Sequence, residues 1–247
     1  MPAEQIFVDI HSHVIPSGDD GVRSVEDGMA LLRETAHRGT VTQFGTPHVT
    51  DGHPLTRRRR RRVEDAHQRM AERSAEFGLR LELGWELSPL QSLLYLDPAD
   101  LRLGDLPACL LELPLPHTRP RNLSRFEECA RHIEASGLTP VLGHPERCHP
   151  VQECPDLLRP MAEAGRLLQV NGDSLLGRNG DSAQATGWWM IDQGLCHLVA
   201  SDGHRASRPP YLDRAFAAVA ARIGEDAARP LFDGSALEPL RAQAELA

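Results

Sequence analysis

Seven short apolar runs alternate with longer amphipathic segments, and this alternation restricts the fold more than any other feature of the chain. The runs, which we predict to be strands, cover residues 6–10, 41–45, 79–83, 109–113, 140–143, 167–170 and 196–200. Between them, Ser24 with Asp27 and Ser124 with Glu127 resemble helix-capping pairs. Strands that alternate with helices form parallel sheets through right-handed crossovers, so the sequence predicts an α/β fold, either a closed barrel or an open sheet.

Polar side chains of the metal-ligand type follow these predicted strands and favour the barrel. In chain order they are His11 and His13, His48, Glu86, Glu112, His144, Asn171, and Asp202 with His204. Such residues converge at one mouth of a closed barrel, whereas the outer strands of an open sheet lie too far apart to share a site. We therefore predict a single domain over residues 1–247, built as a barrel of seven strands.

Two of these positions are pairs, His11-Ser12-His13 and Asp202-Gly203-His204, and each follows an apolar run. Because side chains in an extended strand alternate with a period of two, both members of a pair lie on the same side and can bind one ion. A mixture of imidazoles and carboxylates suits zinc, iron or manganese.

The composition limits the classes of function. The chain has 247 residues with 40% hydrophobic and 25% charged content, as expected for a globular enzyme-sized domain. Its formal net charge of -8 argues against nucleic acid as the main partner. We expect no membrane insertion, because no apolar stretch has the length of a span. Five cysteines without a Cys-x-x-Cys motif indicate reduced thiols and a cytoplasmic protein.

An unbroken run of arginines, Arg57 to Arg62, begins a predicted helix. The run has two interpretations that the sequence leaves open. Charge runs of this kind usually form a solvated helix start. The alternative is a basic rim that attracts an anionic substrate, because the run lies shortly after the candidate ligand His48.

Several motifs in order along the chain resemble one known family. They cover residues 8–13, 19–21, 46–48, 143–147 and 201–204, and include His144-Pro145-Glu146-Arg147. Together they resemble the polymerase-and-histidinol-phosphatase (PHP) family. Residues 168–177 and 207–210 narrow the resemblance to its branch of manganese-dependent bacterial protein-tyrosine phosphatases from capsule and exopolysaccharide clusters.

The resemblance implies a distorted seven-stranded, TIM-like barrel that holds two to three divalent ions, with manganese expected and zinc or iron as alternatives. It implies that His11, His13 and Asp202 bind the first ion, that Asp20, His48 and His204 bind the second, that Glu112 and His144 bind the third, and that Glu86 bridges the first and third. Asp19 is a rival to Asp20 for its place in the second set.

Two arginines, Arg147 and Arg208, are the predicted phosphate-binding residues, with Arg205 as a rival to Arg208. Arginine presents a planar fork that matches two phosphate oxygens. The loop 49–53 departs from the pattern of the branch, which leaves the substrate contacts of that loop open. Three loop histidines are further candidates for contact with substrate: His53, His117 and His149.

The resulting hypothesis is a metal-dependent phosphomonoester hydrolase that removes phosphate from phosphotyrosine on an exopolysaccharide-synthesis tyrosine kinase. A hydroxide that bridges the metals would attack phosphorus. A phosphatase of a small sugar or histidinol-type ester, and a non-catalytic scaffold, are the alternatives. A cysteine-based mechanism needs an arginine six residues after the thiol, and none of the five cysteines has one there.

Overall fold

The computed structural model describes residues 6–114 and 123–245, in which parallel strands alternate with helices. The strands are β1 (Phe7–Asp9), β2 (Thr40–Gly45), β3 (His48–Val49), β4 (Arg80–Leu83), β5 (Glu86–Leu87), β6 (Ala108–Glu112), β7 (Thr139–Gly143), β8 (Leu167–Asn171) and β9 (Leu198–Ala200). Each predicted strand overlaps an observed one, and the two additional strands, β3 and β5, are only two residues long.

Helices connect most of the strands. They are α1 (Val25–His37), α2 (Arg57–Ala75), α3 (Ser124–Ala135), α4 (His149–Glu153), α5 (Leu158–Glu163), α6 (Gly172–Leu175), α7 (Asp181–Asp192), α8 (Asp213–Ile223), α9 (Glu225–Ala228) and α10 (Glu238–Glu245). Ser24 caps α1 as predicted, because its side chain accepts a hydrogen bond from the Asp27 backbone. Ser124 does not cap α3 but is its first residue. Within the described ranges, no helix is long and apolar enough to cross a membrane.

The strands form two parallel sheets, with the orders β1-β2-β4 and β3-β5-β6-β7-β8-β9. Two chain segments pass from one sheet to the other, since only two residues separate β2 from β3 and β4 from β5. The first break contains Pro47, whose nitrogen cannot donate a ladder hydrogen bond. Hydrogen bonds from Gly84 N to Gly45 O (2.9 Å) and from Glu86 N to Pro47 O (3.2 Å) keep the segments side by side. β2 with β3, and β4 with β5, are therefore two chain segments that each contribute one strand to each sheet.

The first and last strands lie side by side at their carboxyl ends. Ser12, just after β1, forms a parallel bridge with Gly203, just after β9. His13 N donates to Gly203 O (2.7 Å), and Asp202 N donates to His11 O (2.8 Å). The two pairs of polar residues recognised in the sequence are therefore direct neighbours.

The apolar core contacts both faces of the strands. Phe7 and Leu111 belong to a large buried cluster shared with the helices. Their chain neighbours Val8 and Leu110 belong to a second, smaller cluster. Since neighbouring residues of a strand point to opposite faces, these strands are covered by apolar side chains on both sides, as is typical of parallel sheets.

Candidate metal centre

The predicted ligand residues lie at the carboxyl ends of the strands. Because all paired strands run parallel, these ends occupy the same edge of the sheets. His48 and Glu86 are direct partners in the register between β3 and β5. The structure brings nine predicted residues together at this edge: His11, His13, Asp20, His48, Glu86, Glu112, His144, Asp202 and His204.

The carboxylate of Glu86 is the centre of the cluster and is completely buried. Its Oε1 lies 3.3 Å from Nε2 of His11 and 3.0 Å from Nε2 of His144. Its Oε2 lies 3.3 Å from Nε2 of His13 and 2.7 Å from Nδ1 of His48. Four imidazoles therefore converge on one carboxylate, an arrangement that allows it to bridge cations.

Asp202 uses one of its carboxylate oxygens in a similar way. Its Oδ1 lies 3.5 Å from Nε2 of His11, 3.4 Å from Nε2 of His13 and 3.6 Å from Nδ1 of His204. The Asp202 side chain is 2% exposed, so this oxygen faces the cluster and not solvent. It is a second point at which several imidazoles could share an ion with a carboxylate.

The other oxygen of Asp202 faces a set of hydrogen-bond donors. Its Oδ2 accepts hydrogen bonds from Nη1 of Arg147 (2.8 Å) and from Nδ2 of Asn171 (2.9 Å). It also accepts a hydrogen bond from Nη2 of Arg208. The two predicted phosphate-binding arginines therefore meet at a carboxylate that adjoins the cluster.

The structure separates the roles of Asp19 and Asp20. The Asp20 carboxylate lies 3.3 Å from Nε2 of both His48 and His204, and hydrogen bonds from these histidines hold its pKa well below its usual range. Asp19 turns inward and accepts hydrogen bonds from Gly21 N (3.0 Å) and His48 N (3.1 Å). Asp20 thus belongs to the cluster, while Asp19 fixes the turn that presents it.

The buried polar atoms of the cluster fit a cation. Nε2 of His11, both ring nitrogens of His13, Nδ1 of His48 and Oε2 of Glu86 have no hydrogen-bond partner among the described residues. Buried polar atoms are rarely left without partners, because desolvation without compensation is costly. These nitrogens and oxygens lie close together without hydrogen-bond geometry, and divalent ions would satisfy them.

The ligand atoms fall into four groups, and within each group they lie within 4.8 Å of one another. The groups are His13, Asp20, His48 and His204; His11, His13 and Asp202; His11, Glu86 and His144; and His48, Glu86 and Glu112. The group of His13, Asp20, His48 and His204 contains the set predicted for the second ion. The group of His11, His13 and Asp202 is the set predicted for the first ion, and His13 belongs to both groups. Glu112 and His144, predicted to share an ion, fall in separate groups that both contain Glu86.

Burial and neighbouring charges together shift the pKa values of these side chains. Burial alone would lower the pKa of His48, but the charge of Glu86 and a hydrogen bond to Asp20 raise it to about 10. Burial and the charge of Glu86 raise the pKa of Glu112 to about 7. Burial lowers the pKa of His144 to about 4. A protonated His48 imidazole would therefore balance carboxylate charge in the cluster, and metal binding there would displace that proton.

Two cluster residues have a backbone conformation that is uncommon for side chains with a Cβ atom. His144 has a φ angle of 35° and Asp202 a φ angle of 50°. They are the non-glycine residues with positive φ in the described part of the chain. Strained backbone of this kind concentrates at functional sites, where the surrounding structure holds it in place.

Residues around the cluster orient its members. Gln169 Oε1 lies 3.0 Å from Nδ1 of His11, which leaves Nε2 of that ring facing Glu86. Asn171 is hydrogen-bonded to Asp202. Gln169 and Asn171 are two residues apart on β8 and therefore point to the same side, a signal that could have identified Gln169 from the sequence.

Arg59 is a buried supporting residue within the arginine run. Its guanidinium donates to Ser17 O (3.2 Å), His48 O (2.7 Å) and His53 O (2.9 Å). It also donates to the Ser17 hydroxyl (3.1 Å). One cation thus connects the loop before Asp20 to the segment that carries His48.

A cavity of about 840 Å³ opens above the cluster. Arg147 and Arg208 line it, and Pro89 and Leu90 supply an apolar part of its wall. Arg205, the rival to Arg208, does not line the cavity and instead donates to a backbone carbonyl (2.9 Å). Arg208 is therefore the better placed of the two to reach a ligand.

The three histidines predicted to lie in loops differ in their surroundings, and His149 is the first residue of α4, not a loop residue. His53 lies 3.3 Å from the Thr50 hydroxyl, and His149 lies 3.5 Å from Glu153. Neither lines the cavity, although Thr50 itself does. His117 lies outside the described residues.

The fold and the cluster define an α/β protein with a buried metal-ligand site at the carboxyl edge of its parallel strands. Residues 7–240 match the family described as capsular polysaccharide synthesis, CpsB/CapC, and the chain belongs to this family. The predicted resemblance to bacterial tyrosine phosphatases of capsule clusters is thereby confirmed.

Individual relatives agree with the family match. The chain is 30% identical over 203 residues to the tyrosine-protein phosphatase YwqE of Bacillus subtilis (strain 168), covering 80% of this chain and 77% of that one. It is 28% identical over 234 residues to the tyrosine-protein phosphatase CpsB of Streptococcus pneumoniae, covering 92% and 95%. A solved structure from work on these two proteins, described as unique metal-dependent tyrosine phosphatases, superposes with a TM-score of 0.77 at 26% identity, covering 97% of this chain and 93% of that chain.

Proposed function

We propose that this protein is a metal-dependent phosphotyrosine-protein phosphatase that acts on a tyrosine kinase of capsule or exopolysaccharide synthesis. The observation that carries the proposal is the cluster of nine metal-ligand side chains, most of them buried, which opens into a cavity that also presents two arginines. Relatives named as tyrosine-protein phosphatases, and a similar structure described as metal-dependent, support the substrate class and the dependence on metal.

The nine residues would hold two or three divalent ions, manganese in the first place and zinc or iron as alternatives. The close approach of Glu86 to four imidazoles supports its role as a bridge between the first and third ions. When bound, such ions activate a water molecule as nucleophile near neutral pH and neutralise charge on the phosphoryl group. The proposed ligands are His11, His13 and Asp202 for the first ion, Asp20, His48 and His204 for the second, and Glu112 and His144 for the third.

Arg147 and Arg208 would bind and orient the phosphate. Both already direct guanidinium nitrogens to Asp202 at the inner end of the cavity. A phosphate that enters there would offer them further acceptors, and their fixed charges would stabilise the negative charge that develops on its oxygens. A phenolate leaving group, with a parent pKa of about 10, reduces the need for a general acid.

The cavity wall supports an aromatic phosphate ester over a sugar phosphate. Pro89, Leu90 and Pro114 line the cavity together with the charged cluster residues. A phosphotyrosine ring would pack against this apolar part of the wall while its phosphate reaches the arginines. A sugar would place hydroxyl groups there without an equivalent gain from burial of apolar surface.

The thiols do not support a cysteine mechanism. Burial raises the pKa of Cys109 and Cys196 to about 12 and that of Cys129 and Cys148 to about 11, so these four remain protonated at neutral pH. None of the five cysteines forms a disulfide, which supports a location in the reducing cytoplasm.

For the fold, we propose a closed, seven-stranded barrel of the PHP type. The two interrupted segments reduce nine strands to seven, and the bridge from Ser12 to Gly203 supports closure between β1 and β9. One apolar cluster contains both Phe7 and Phe232, which supports a single domain.

A substrate panel tests the function. Purified protein, reconstituted with Mn²⁺, Zn²⁺ or Fe²⁺ in turn, is offered phosphotyrosine peptides, phosphoserine peptides and sugar phosphates. We expect the highest kcat/KM for phosphotyrosine peptides, loss of activity on chelation, and no loss on alkylation of thiols. A higher kcat/KM for a sugar phosphate than for phosphotyrosine peptides would show that the substrate is a small metabolite and not a protein. Activity in metal-free protein would overturn the proposed metal-dependent mechanism.

A further inference from the structure

The arginines at the start of α2 do not form one uniform surface. Arg59 turns inward, and Arg60 lies 3.9 Å from the carboxylate of Asp100. The other four are exposed and line, with Arg69 and Asp65, an open concavity of about 570 Å³. We name Arg57, Arg58, Arg61, Arg62 and Arg69 the arginine patch.

The patch is not neutralised by the protein itself. In the described part of the chain, the guanidinium groups of Arg57, Arg58 and Arg61 have no hydrogen bond or ion pair, and the single acid that lines the concavity is Asp65. One turn beyond the patch, by contrast, the charge of Arg73 is paired, because its guanidinium lies 3.4 Å from the carboxylate of Glu26. Residues four apart share a helix face, so Arg57 and Arg61 present their charges to solvent side by side.

This arrangement opposes the stability of the helix that carries it. The amino end of a helix favours negative charge, and like charges four residues apart repel. The first turn of α2 contains no acid, whereas the first turn of α1 contains Glu26 and Asp27. In a chain with a net charge of -8, such a concentration of unpaired positive charge indicates a binding surface for an anion.

The patch follows closely in the chain after a loop that lines the cavity of the metal centre. Thr50, Asp51 and Gly52 line that cavity, and the same stretch of chain leads through the cap residue Thr56 into α2. Arg62, a member of the patch, also donates to Ser17 O, three residues before Asp20. The chain therefore connects the rim of the cavity directly to the arginine patch, and a substrate segment next to the phosphotyrosine is the part of a peptide that could reach it.

We propose that the arginine patch is a docking surface for an acidic segment that flanks the phosphotyrosine of the protein substrate. The inference rests on the proposed function and specifies its substrate class further. Carboxylates and phosphates are the groups that arginine forks bind in bidentate fashion. The patch offers five such forks on one open face, which matches an extended acidic segment.

The test compares two phosphotyrosine peptides of equal length, one with glutamates and one with glutamines around the phosphotyrosine. The patch variant is Arg58→Glu with Arg61→Glu. The matched control, Arg131→Glu with Arg214→Glu, makes the same charge change at exposed arginines on α3 and α8. We expect wild type and control to prefer the glutamate peptide about tenfold in kcat/KM at low salt, and the patch variant to show no preference.

Turnover of p-nitrophenyl phosphate should be equal in all three proteins, because the patch lies outside the metal centre. Salt of about 0.5 M should abolish the preference of the wild type, since charge interactions at an exposed surface are screened. Equal kcat/KM for the two peptides in the wild type, or an unchanged preference in the patch variant, would overturn the docking surface.

A binding measurement separates this proposal from the proposed function. Fluorescence anisotropy records binding of the glutamate peptide without phosphate to wild type and patch variant. If no phosphotyrosine peptide is hydrolysed, the proposed function fails, but binding that is lost in the variant still supports docking. Equal binding of the peptide to wild type and patch variant would overturn the docking proposal. Tighter binding of the wild type to phosphatidylserine vesicles than to the peptide would also overturn it.

Discussion

Replacing Arg59 by alanine should lower both the stability of the protein and its affinity for divalent metal. The side chain is buried, at 8% exposure, and it donates to carbonyl oxygens of Ser17, His48 and His53. These carbonyls belong to the segments that carry the proposed ligands Asp20 and His48. One buried cation therefore sets the distance between two parts of the metal centre.

The size of the effect follows from four hydrogen bonds, three to carbonyl oxygens and one to the Ser17 hydroxyl. At about 1 kcal/mol of net stability each, their loss would cost about 4 kcal/mol. Because water that reaches the freed carbonyls offsets part of this cost, we expect a loss of about 2–4 kcal/mol. Residues that orient metal ligands typically contribute about 10- to 100-fold in metal affinity, and we expect a loss in that range for Arg59→Ala.

The free energy of unfolding is measured by urea denaturation of chelated protein, and metal affinity by competition with a fluorescent indicator for Mn²⁺. The control is Arg58→Ala, which removes an exposed neighbour on the same helix and should change stability by less than about 0.5 kcal/mol. Arg59→Lys should be intermediate, because lysine keeps the charge but lacks the fork. If Arg59→Ala and Arg58→Ala unfold at the same urea concentration and bind Mn²⁺ equally, the proposed role of Arg59 is refuted.

Four further predictions concern other parts of the molecule. Glu86→Ala should lose metal by elemental analysis while circular dichroism shows an intact fold; full occupancy would contradict its bridging role. Arg147→Ala should keep its metal but lose about 100- to 1000-fold in kcat towards a phosphotyrosine peptide, and unchanged kcat would exclude a role in phosphate binding. Burial lowers the pKa of His197 from its ordinary value of 6.5, and its Nδ1 accepts a hydrogen bond from Leu168 N. Protonation below pH 6.5 therefore favours the unfolded chain, and in urea titrations His197→Gln should lose less stability than wild type between about pH 7.5 and about pH 5.5. Arg57→Glu should stabilise the protein by about 0.3–1 kcal/mol, because it replaces a positive charge at the start of α2, and a lower melting temperature would contradict this.

Most members of the cluster could be predicted from the sequence because the strands are parallel, whereas Asp20 followed only from the resemblance to the family. In a parallel arrangement, each carboxyl end reaches the same edge, so the position of a residue relative to its own strand is enough to place it. His144 and Glu112 were identified in this way although they come from different strands. Grouping the ligands around individual ions needs distances between strands, which no local pattern in the sequence supplies.

Arg59 was missed because its neighbours in the sequence concealed its environment. In a run of six arginines, the neighbouring residues in the sequence do not show which side chain is buried. The position of each arginine around the helix does show it. Arg59 shares a face of α2 with Val63, Ala66 and Met70, all of them buried. A charged residue on the apolar face of a helix needs hydrogen-bond partners. The partners of Arg59 include backbone carbonyl oxygens in loops, and no local sequence pattern specifies them.

The backbone at Asp202 connects the pairing of the strands to the chemistry of the centre. A residue with a Cβ atom at a φ angle of 50° costs about 1–3 kcal/mol, so other contacts must hold it there. Those contacts are hydrogen bonds between the first and last strand segments, from Asp202 N to His11 O and from His13 N to Gly203 O. In this conformation one carboxylate oxygen faces the imidazoles and the other faces Arg147. The same bridge that joins β1 to β9 therefore positions the carboxylate that links the proposed metal ions to the proposed phosphate site.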